Sequence, residues 1–394
     1  MGRRLSDLKF LASLALAVVL IASCGKEDPS PDPQPDDSQY LLPLIETTDL
    51  HGHIINQVDK TVHYRLAYIA DKVNDIRGRG ADYSKDRLLL LDGGDMYQGA
   101  SISNMLEGKP VYVSMDLMGY DAVTVGNHEF DWDFEKLVEQ DATMPDYEWD
   151  GRSHVNEVPV TCANLYRDGA RTSLTKDYVI LEKTAVNSGG KGIKVRIGVI
   201  GFAVDYASSI MTSKFTGKGY SINEDYSIAN DIARELENSG QCDATILLIH
   251  GAADVAAGNL GQNSVIDLVL GGHSHDYMSG TTASGMPYLQ GGKHGERYAT
   301  TELVFTEGNG KVSFSGVGKL DTPLVNASRD YRMSEGQNAE DLDEDIIAVT
   351  DRAMSDISEQ AKEVIGYITV DASTYGIPGS AGRACPMANW ILRL

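Results

Sequence analysis

Cysteine is scarce in this chain of 394 residues, with only Cys24, Cys162, Cys242 and Cys385. The three that follow Cys24 are too few for a disulfide framework, so core burial must supply the stability. Basic residues are under-represented, with 34 Lys and Arg against 57 Asp and Glu and a formal charge of −23. Such a balance disfavours a nucleic acid polymer as partner and a basic patch as membrane anchor. It also repels small anions unless a local cationic centre holds them. Long apolar runs are missing: the stretch from Phe10 to Ala22 is too short to span a bilayer. There is no internal repeat.

The N-terminus nevertheless carries a clear pattern. Arg3, Arg4 and Lys9 precede the apolar stretch, and Ile21-Ala22-Ser23-Cys24 closes it, which makes residues 1–23 a secretory signal. The small residues ending in cysteine resemble a bacterial lipoprotein signal. That likeness implies an exported protein, lipid-anchored to the outer membrane through Cys24, on the periplasmic side or the cell surface. Residues 24–40 are rich in Pro, Asp and Ser and have little to bury, so they are expected to form a disordered tether.

From Leu41 onward, short runs of Val, Ile and Leu recur over 41–45, 88–91, 122–125, 158–162, 195–200, 244–249 and 266–270, each bounded by turn residues. These predict buried strands. Between them Leu66, Ile69, Ala70, Val73 and Ile76 keep helical spacing within 63–76, as do Ile228, Ala229, Ile232, Ala233 and Leu236 within 226–236. The alternation predicts an α/β layered domain with ligands gathered at the carboxyl ends of the strands. Further strands are expected over 288–290, 301–305 and 311–317, with Gly308-Asn309-Gly310 as a hairpin turn. They close a domain of residues 41–322. Residues 323–337 read as a loop. Leu342, Ile346, Val349, Ala353, Ile357, Ala361 and Val364 then share one face of a long helix that ends at Gly366 and reads as a connector.

Polar segments stand where the apolar runs end: Asp49-Leu50-His51, Gly94-Asp95, Gly126-Asn127-His128-Glu129, the lone His250, and Gly272-His273-Ser274-His275. Carboxylate, imidazole and amide carbonyl together suit borderline cations such as zinc or manganese, and two such cations roughly 3.5–4 Å apart cleave phosphate esters. Strand alternation is expected to point Asp49 and His51 to the same side, onto one cation. Taken alone, that pair reads more readily as a turn with a capping Asp. Asp95 follows two glycines that let the backbone turn beneath a ligand, and its carboxylate can bridge two metals. Asp92 competes for that role, but Asp95 is preferred because it lies beyond the strand. Asn127 offers a neutral oxygen. Asp131 is close enough in sequence to hold His128 protonated as a general acid. His250 ends an apolar run, and the spacing of His273 and His275 can aim both rings at one site. Of nine histidines, His53, His63, His154 and His294 are left without a role.

Taken in order, these segments closely resemble the calcineurin-like metallophosphoesterase superfamily. Residues 47–53, 94–99, 126–131 and 162–165 are similar to the bacterial branch that comprises 5′-nucleotidases, UDP-sugar hydrolases and 2′,3′-cyclic phosphodiesterases, over about residues 41–320. The resemblance implies a layered β-sandwich flanked by helices and two divalent metal ions, zinc or manganese. It implies that Asp49, His51 and His275 bind one, that Asn127, His250 and His273 bind the other, and that Asp95 bridges them. His128 and Asp131 would act near the leaving group. In some members a Gln or Asn stands where His275 does. The implied activity is phosphoric ester hydrolysis on a nucleotide or other small phosphate ester. The family's connecting helix leads to a nucleoside-gripping domain, whose opening helix 383–392 resembles. Residues 323–366 are therefore expected to link, and 367–394 to begin a truncated C-terminal domain. The alternative is a catalytically weak, lipid-anchored remnant that binds metal or nucleotide.

Overall fold

A computed structural model describes residues 38–58, 61–132, 134–135, 147–148, 153–154, 158–204, 213–325 and 342–360. The signal, most of the tether and residues 361–394 lie outside the described residues.

Twelve strands join in one sheet. In chain order they are β1 (Gln39–Thr47), β2 (Leu89–Asp92), β3 (Ala122–Thr124), β4 (Val160–Thr161), β5 (Tyr178–Val186) and β6 (Gly192–Ala203), followed by β7 (Ala244–His250), β8 (Leu268–Leu270), β9 (Tyr277–Thr281), β10 (Pro287–Gly291), β11 (Ala299–Gly308) and β12 (Lys311–Val317). The spatial order is β9-β10-β8-β7-β6-β5-β1-β2-β3-β4, with β11 also on β1 and β12 on β11. A single residue pair, Leu41 with Val186, joins β5 to β1. The sheet turns back at this thin joint, and its two arms face each other.

Alternation along each strand explains the layers. Leu89 and Leu91 of β2 and Ile246 and Leu248 of β7 belong to one buried cluster with Leu42, Leu44, Ile197 and Phe305, which fills the space between the arms. The intervening Leu90 instead meets α1 (Arg65–Arg77) and α2 (Lys109–Met118) on one outer face. Leu247 and Ile249 meet α3 (Ser227–Ser239) and α4 (Ala253–Asn259) on the other. Strands covered on both sides must be apolar throughout, so β2 and β7 read as unbroken apolar runs.

The hairpin between β11 and β12 turns on Asn309 and Gly310, both with positive φ, as a two-residue turn between twisted strands requires. The helix expected after the loop is α5 (Glu344–Gln360). Leu342, Ile346 and Ala353 pack into the cluster of α1 and α2, so the described part of this helix lies against the layered domain rather than extending away from it. Ala361, Val364 and Gly366 lie outside the described residues.

Candidate metal centre

Parallel pairing of β1 with β2, β2 with β3, β6 with β7 and β7 with β8 brings the carboxyl ends of these strands to one rim. The segments that follow them meet there. The expected strand alternation is not what aims Asp49 and His51, because β1 stops at Thr47. Both residues lie in the left-handed region, with φ of 50° and 47°, as do Asp95 (56°), His273 (70°) and His275 (62°). Side chains with a Cβ occupy that region at a cost and only where surrounding contacts hold them. Here the backbones of two loops are laced together: the Asp49 N–H donates to the Gly94 carbonyl at 2.9 Å and the His51 N–H to the Asp95 carbonyl at 2.9 Å. At Gly126 a Cβ would collide with the Asp95 carboxylate, and at Gly94 one would come within 2.9 Å of His250 Nδ1. Glycine at these two positions lets the loops close around the acid.

The side chains converge in two groups. His275 Nε2 lies 3.0 Å from His51 Nε2 and 3.5 Å from Asp49 Oδ1. In the second group, His250 Nε2 lies 3.3 Å from Asn127 Oδ1 and 3.3 Å from His273 Nδ1, and Asn127 Oδ1 lies 2.8 Å from His273 Nδ1. Asp95 Oδ2 touches both, at 3.8 Å from His51 Nε2 and 3.2 Å from His250 Nε2. Asp92 does not take part. It is fully buried and accepts from the Thr47 hydroxyl and the Gly94 N–H.

The donor set fits metal cations. The His51 Nδ1–H donates to the Gln98 carbonyl at 2.9 Å and the His250 Nδ1–H to the Gly93 carbonyl at 2.8 Å, which leaves each Nε2 lone pair aimed inward. Asp95 gives its Oδ1 to the His128 N–H at 2.7 Å and keeps Oδ2 for the cluster. Burial disfavours charge on Asp95, yet the imidazoles of His250, His128 and His51 outweigh it and hold the acid well below the usual carboxylate range. Burial likewise disfavours a charged His250, but Asp95 and Asp49 push it up to about 10. The cluster thus demands positive charge at that point, from a proton or from a metal that displaces it.

His128 stands beside this centre, its ring 5.0 Å from that of His51. Its Nδ1–H donates to Asp131 Oδ2 at 2.6 Å, and this bond raises it above the ordinary imidazole range. A ring that holds its proton is suited to donate it rather than to ligate.

Glu129 was part of a recognised segment, but no role for it could be read there. Fully buried, its Oε2 accepts from the N–H groups of Asp95 (2.9 Å) and Gly126 (2.7 Å), and its Oε1 from that of Met96 (2.9 Å). It ties together the loops that carry Asp95 and Asn127. Glu46 was not anticipated either: it is fully buried close to Asp49 and Asp92, and its carboxyl group meets no side-chain donor among the described residues. Burial, with Asp92 and Asp49 nearby, raises it well above the usual carboxylate range.

The family model for calcineurin-like phosphoesterases matches residues 42–277. The chain belongs to this family. Among curated relatives, UshA of Yersinia enterocolitica is 27% identical over 256 residues, which is 61% of this chain and 41% of that protein. A 5′-nucleotidase of Vibrio cholerae is 28% identical over 276 residues, 66% of this chain and 45% of that protein. The chain thus matches less than half the length of these relatives. Among solved structures, the calcineurin-like phosphoesterase YfkN of Bacillus subtilis superposes with a TM-score of 0.65 at 18% identity, covering 82% of this chain and all of that one. A 5′-nucleotidase precursor of Thermus thermophilus gives 0.58 at 19% identity, covering 83% and 61%. The layered fold of this calcineurin-like phosphoesterase is thus the fold of those proteins, and divalent metal dependence comes with the family.

Proposed function

We propose that the chain is a metal-dependent phosphoric ester hydrolase acting on nucleotides, with Asp49, His51 and His275 holding one divalent cation, Asn127, His250 and His273 a second, and Asp95 shared. The observation that carries this reading is the placement of the Asp95 carboxylate, whose single Oδ2 faces ligands of both groups. When bound, two cations supply Lewis acidity toward a phosphoryl oxygen and an attacking water. The protein's own part follows from its geometry. Asp131 holds a proton on His128, which delivers it to the departing oxygen. The Gln98 and Gly93 carbonyls fix the two ligating tautomers. Relatives named 5′-nucleotidase support nucleotides as the substrate class.

The test is hydrolysis of a nucleoside monophosphate and an aryl phosphate by the purified chain with added manganese or zinc. Turnover that disappears in Asp95→Ala is expected; no turnover on either substrate with either metal overturns the reading.

Three further parts of the reading rest on sequence. Residues 41–322 act as the catalytic unit, 323–366 as linker and connecting helix, and 367–394 as the start of a nucleoside-gripping domain. Residues 1–23 direct export. Cys24 carries the lipid that anchors the protein to the outer membrane, and Cys24→Ser should move it from the membrane to the soluble fraction.

A further inference from the structure

Thr48 stands between the end of β1 at Thr47 and the first ligand, Asp49, and is buried. Its side chain is wedged between two loops. A Cβ at Gly93, which follows β2, would come within 2.6 Å of Thr48 Oγ1, and one at Gly272, which follows β8, within 2.3 Å. Thr48 fits because both loops are glycine where they cross it. In that slot its hydroxyl donates to Asp49 Oδ2 at 2.7 Å. The His273 N–H donates to the same oxygen at 2.9 Å and lies 3.1 Å from Oδ1. Asp49 Oδ1 is left toward the first group, 3.5 Å from His275 Nε2 and 3.9 Å from His51 Nε2.

The two donors on Asp49 Oδ2 differ in kind. His273 serves both groups: its N–H holds Asp49, while its ring Nδ1 lies 2.8 Å from Asn127 Oδ1 in the second. The residue before it is tied to the second group as well, since the Gly272 N–H donates to the carbonyl of Gly251, next to His250, at 2.9 Å. Thr48 belongs to the first group alone. Among the described residues it is the one side chain that hydrogen-bonds Asp49 without being a ligand itself, and no hydrogen bond joins it to Asp95, Asn127 or His250. Donors that fix one oxygen of a carboxylate decide which oxygen remains for a cation, and such outer partners tune affinity at that ligand.

We propose that Thr48 is a positioning residue for the first cation: its hydroxyl commits Asp49 Oδ2 to the protein and presents Oδ1 beside His51 and His275. The inference rests on the ligand assignment of the hydrolase reading above. It makes the two cation positions unequal in a defined way. The first depends on a single hydroxyl that the second does not touch, so removing that hydroxyl weakens one position and spares the other.

The experiment titrates the metal-free full chain with manganese by calorimetry, and the binding step lost in His275→Ala marks the first position. Thr48→Val keeps the shape and removes the donor; it should weaken the marked step about 10–100-fold and the other far less. Thr48→Ser keeps the donor and should restore most of the affinity. Turnover of a nucleoside monophosphate by Thr48→Val should fall at limiting manganese and recover as manganese is raised, a response that a misfolded rim does not give. Thr47→Val instead takes a donor from buried Asp92, and should lower Tm without separating the two steps. Should Thr48→Val not fold, Thr48→Ala, which leaves space in place of the hydroxyl, is read in the same way. Equal weakening of both steps, wild-type binding in Thr48→Val, or no restoration in Thr48→Ser overturns the proposal and leaves the hydrolase reading intact. If the wild-type chain binds two cations but hydrolyses nothing, the hydrolase reading fails and the titrations alone decide the role of Thr48; if it binds none, both fail.

Discussion

Glu129→Gln tests whether Asp95 owes its position to the carboxyl group behind it. In the native protein, one carboxyl oxygen serves the N–H groups of Asp95 and Gly126 and the other serves Met96. The amide has a single acceptor. Its best placement keeps the shared pair and turns its NH2 toward the Met96 N–H, donor against donor. A buried donor left unpaired costs about 1–3 kcal/mol, and the two surviving bonds lose their charge assistance. A net loss of ~2 kcal/mol corresponds to a fall in Tm of roughly 4–8 °C in a large domain, readable by circular dichroism. Because Asp95 and Asn127 ride on the loops that Glu129 joins, metal affinity should fall about 10–100-fold in a calorimetric titration. If the variant melts within about 1 °C of wild type and binds manganese equally well, Glu129 does not position the bridging acid.

Three other outcomes follow from the same geometry. Asp131 raises His128 above 6.5, so Asp131→Asn should move the basic limb of the kcat profile to lower pH; a limb that stays in place rules out His128 as the proton donor. The stability from that pair is complete below the unfolded pKa of the imidazole and is lost as pH rises through the folded value, so the variant should be destabilised more at pH about 6 than about 9. Glu46 has the opposite sign of consequence for a carboxyl group: its folded value is raised, so wild-type stability falls as pH climbs above 4.5. Glu46→Gln should flatten that fall in denaturant titrations, and an unaltered slope would show Glu46 to be ionised. Chelation should lower Tm, and manganese at about 100 times its Kd should add ~2.7 kcal/mol. Binding should also release a proton, since His250 is pushed up to about 10, and calorimetry in buffers of different ionisation heat would detect it.

Much of the centre was legible because its chemistry needs unusual residues at strand ends: Asp49, His51, Asp95, Asn127, His250, His273 and His275 meet as a group in the structure. The reason offered for the first pair was wrong, since left-handed backbone rather than strand alternation aims Asp49 and His51. That conformation depends on a neighbouring loop and leaves no local signal. β5 escaped notice because Glu182 and Lys183 interrupt its apolar pattern, although Lys183 is buried and paired with Asp121 at 2.7 Å. α2 was missed for the converse reason: buried on nearly all sides, it shows no apolar stripe. Glu129 and Glu46 look like ordinary acidic residues until their surroundings are known. The α5 helix was visible because only one of its faces is covered.

The strand that carries the first ligands also has an awkward history during synthesis. β1 leaves the ribosome early, yet the partner that runs beside nearly its whole length is β11, whose last residue is Gly308. Until some 260 further residues have been made, one edge of an apolar strand stays open, and open edges recruit other chains. Association between copies before β11 closes on β1 is therefore an expected misfolding route of this topology. Variants that slow closure of β11 onto β1 should reduce yield well before they alter the metal centre, a separation that soluble recovery and specific activity measured side by side would reveal.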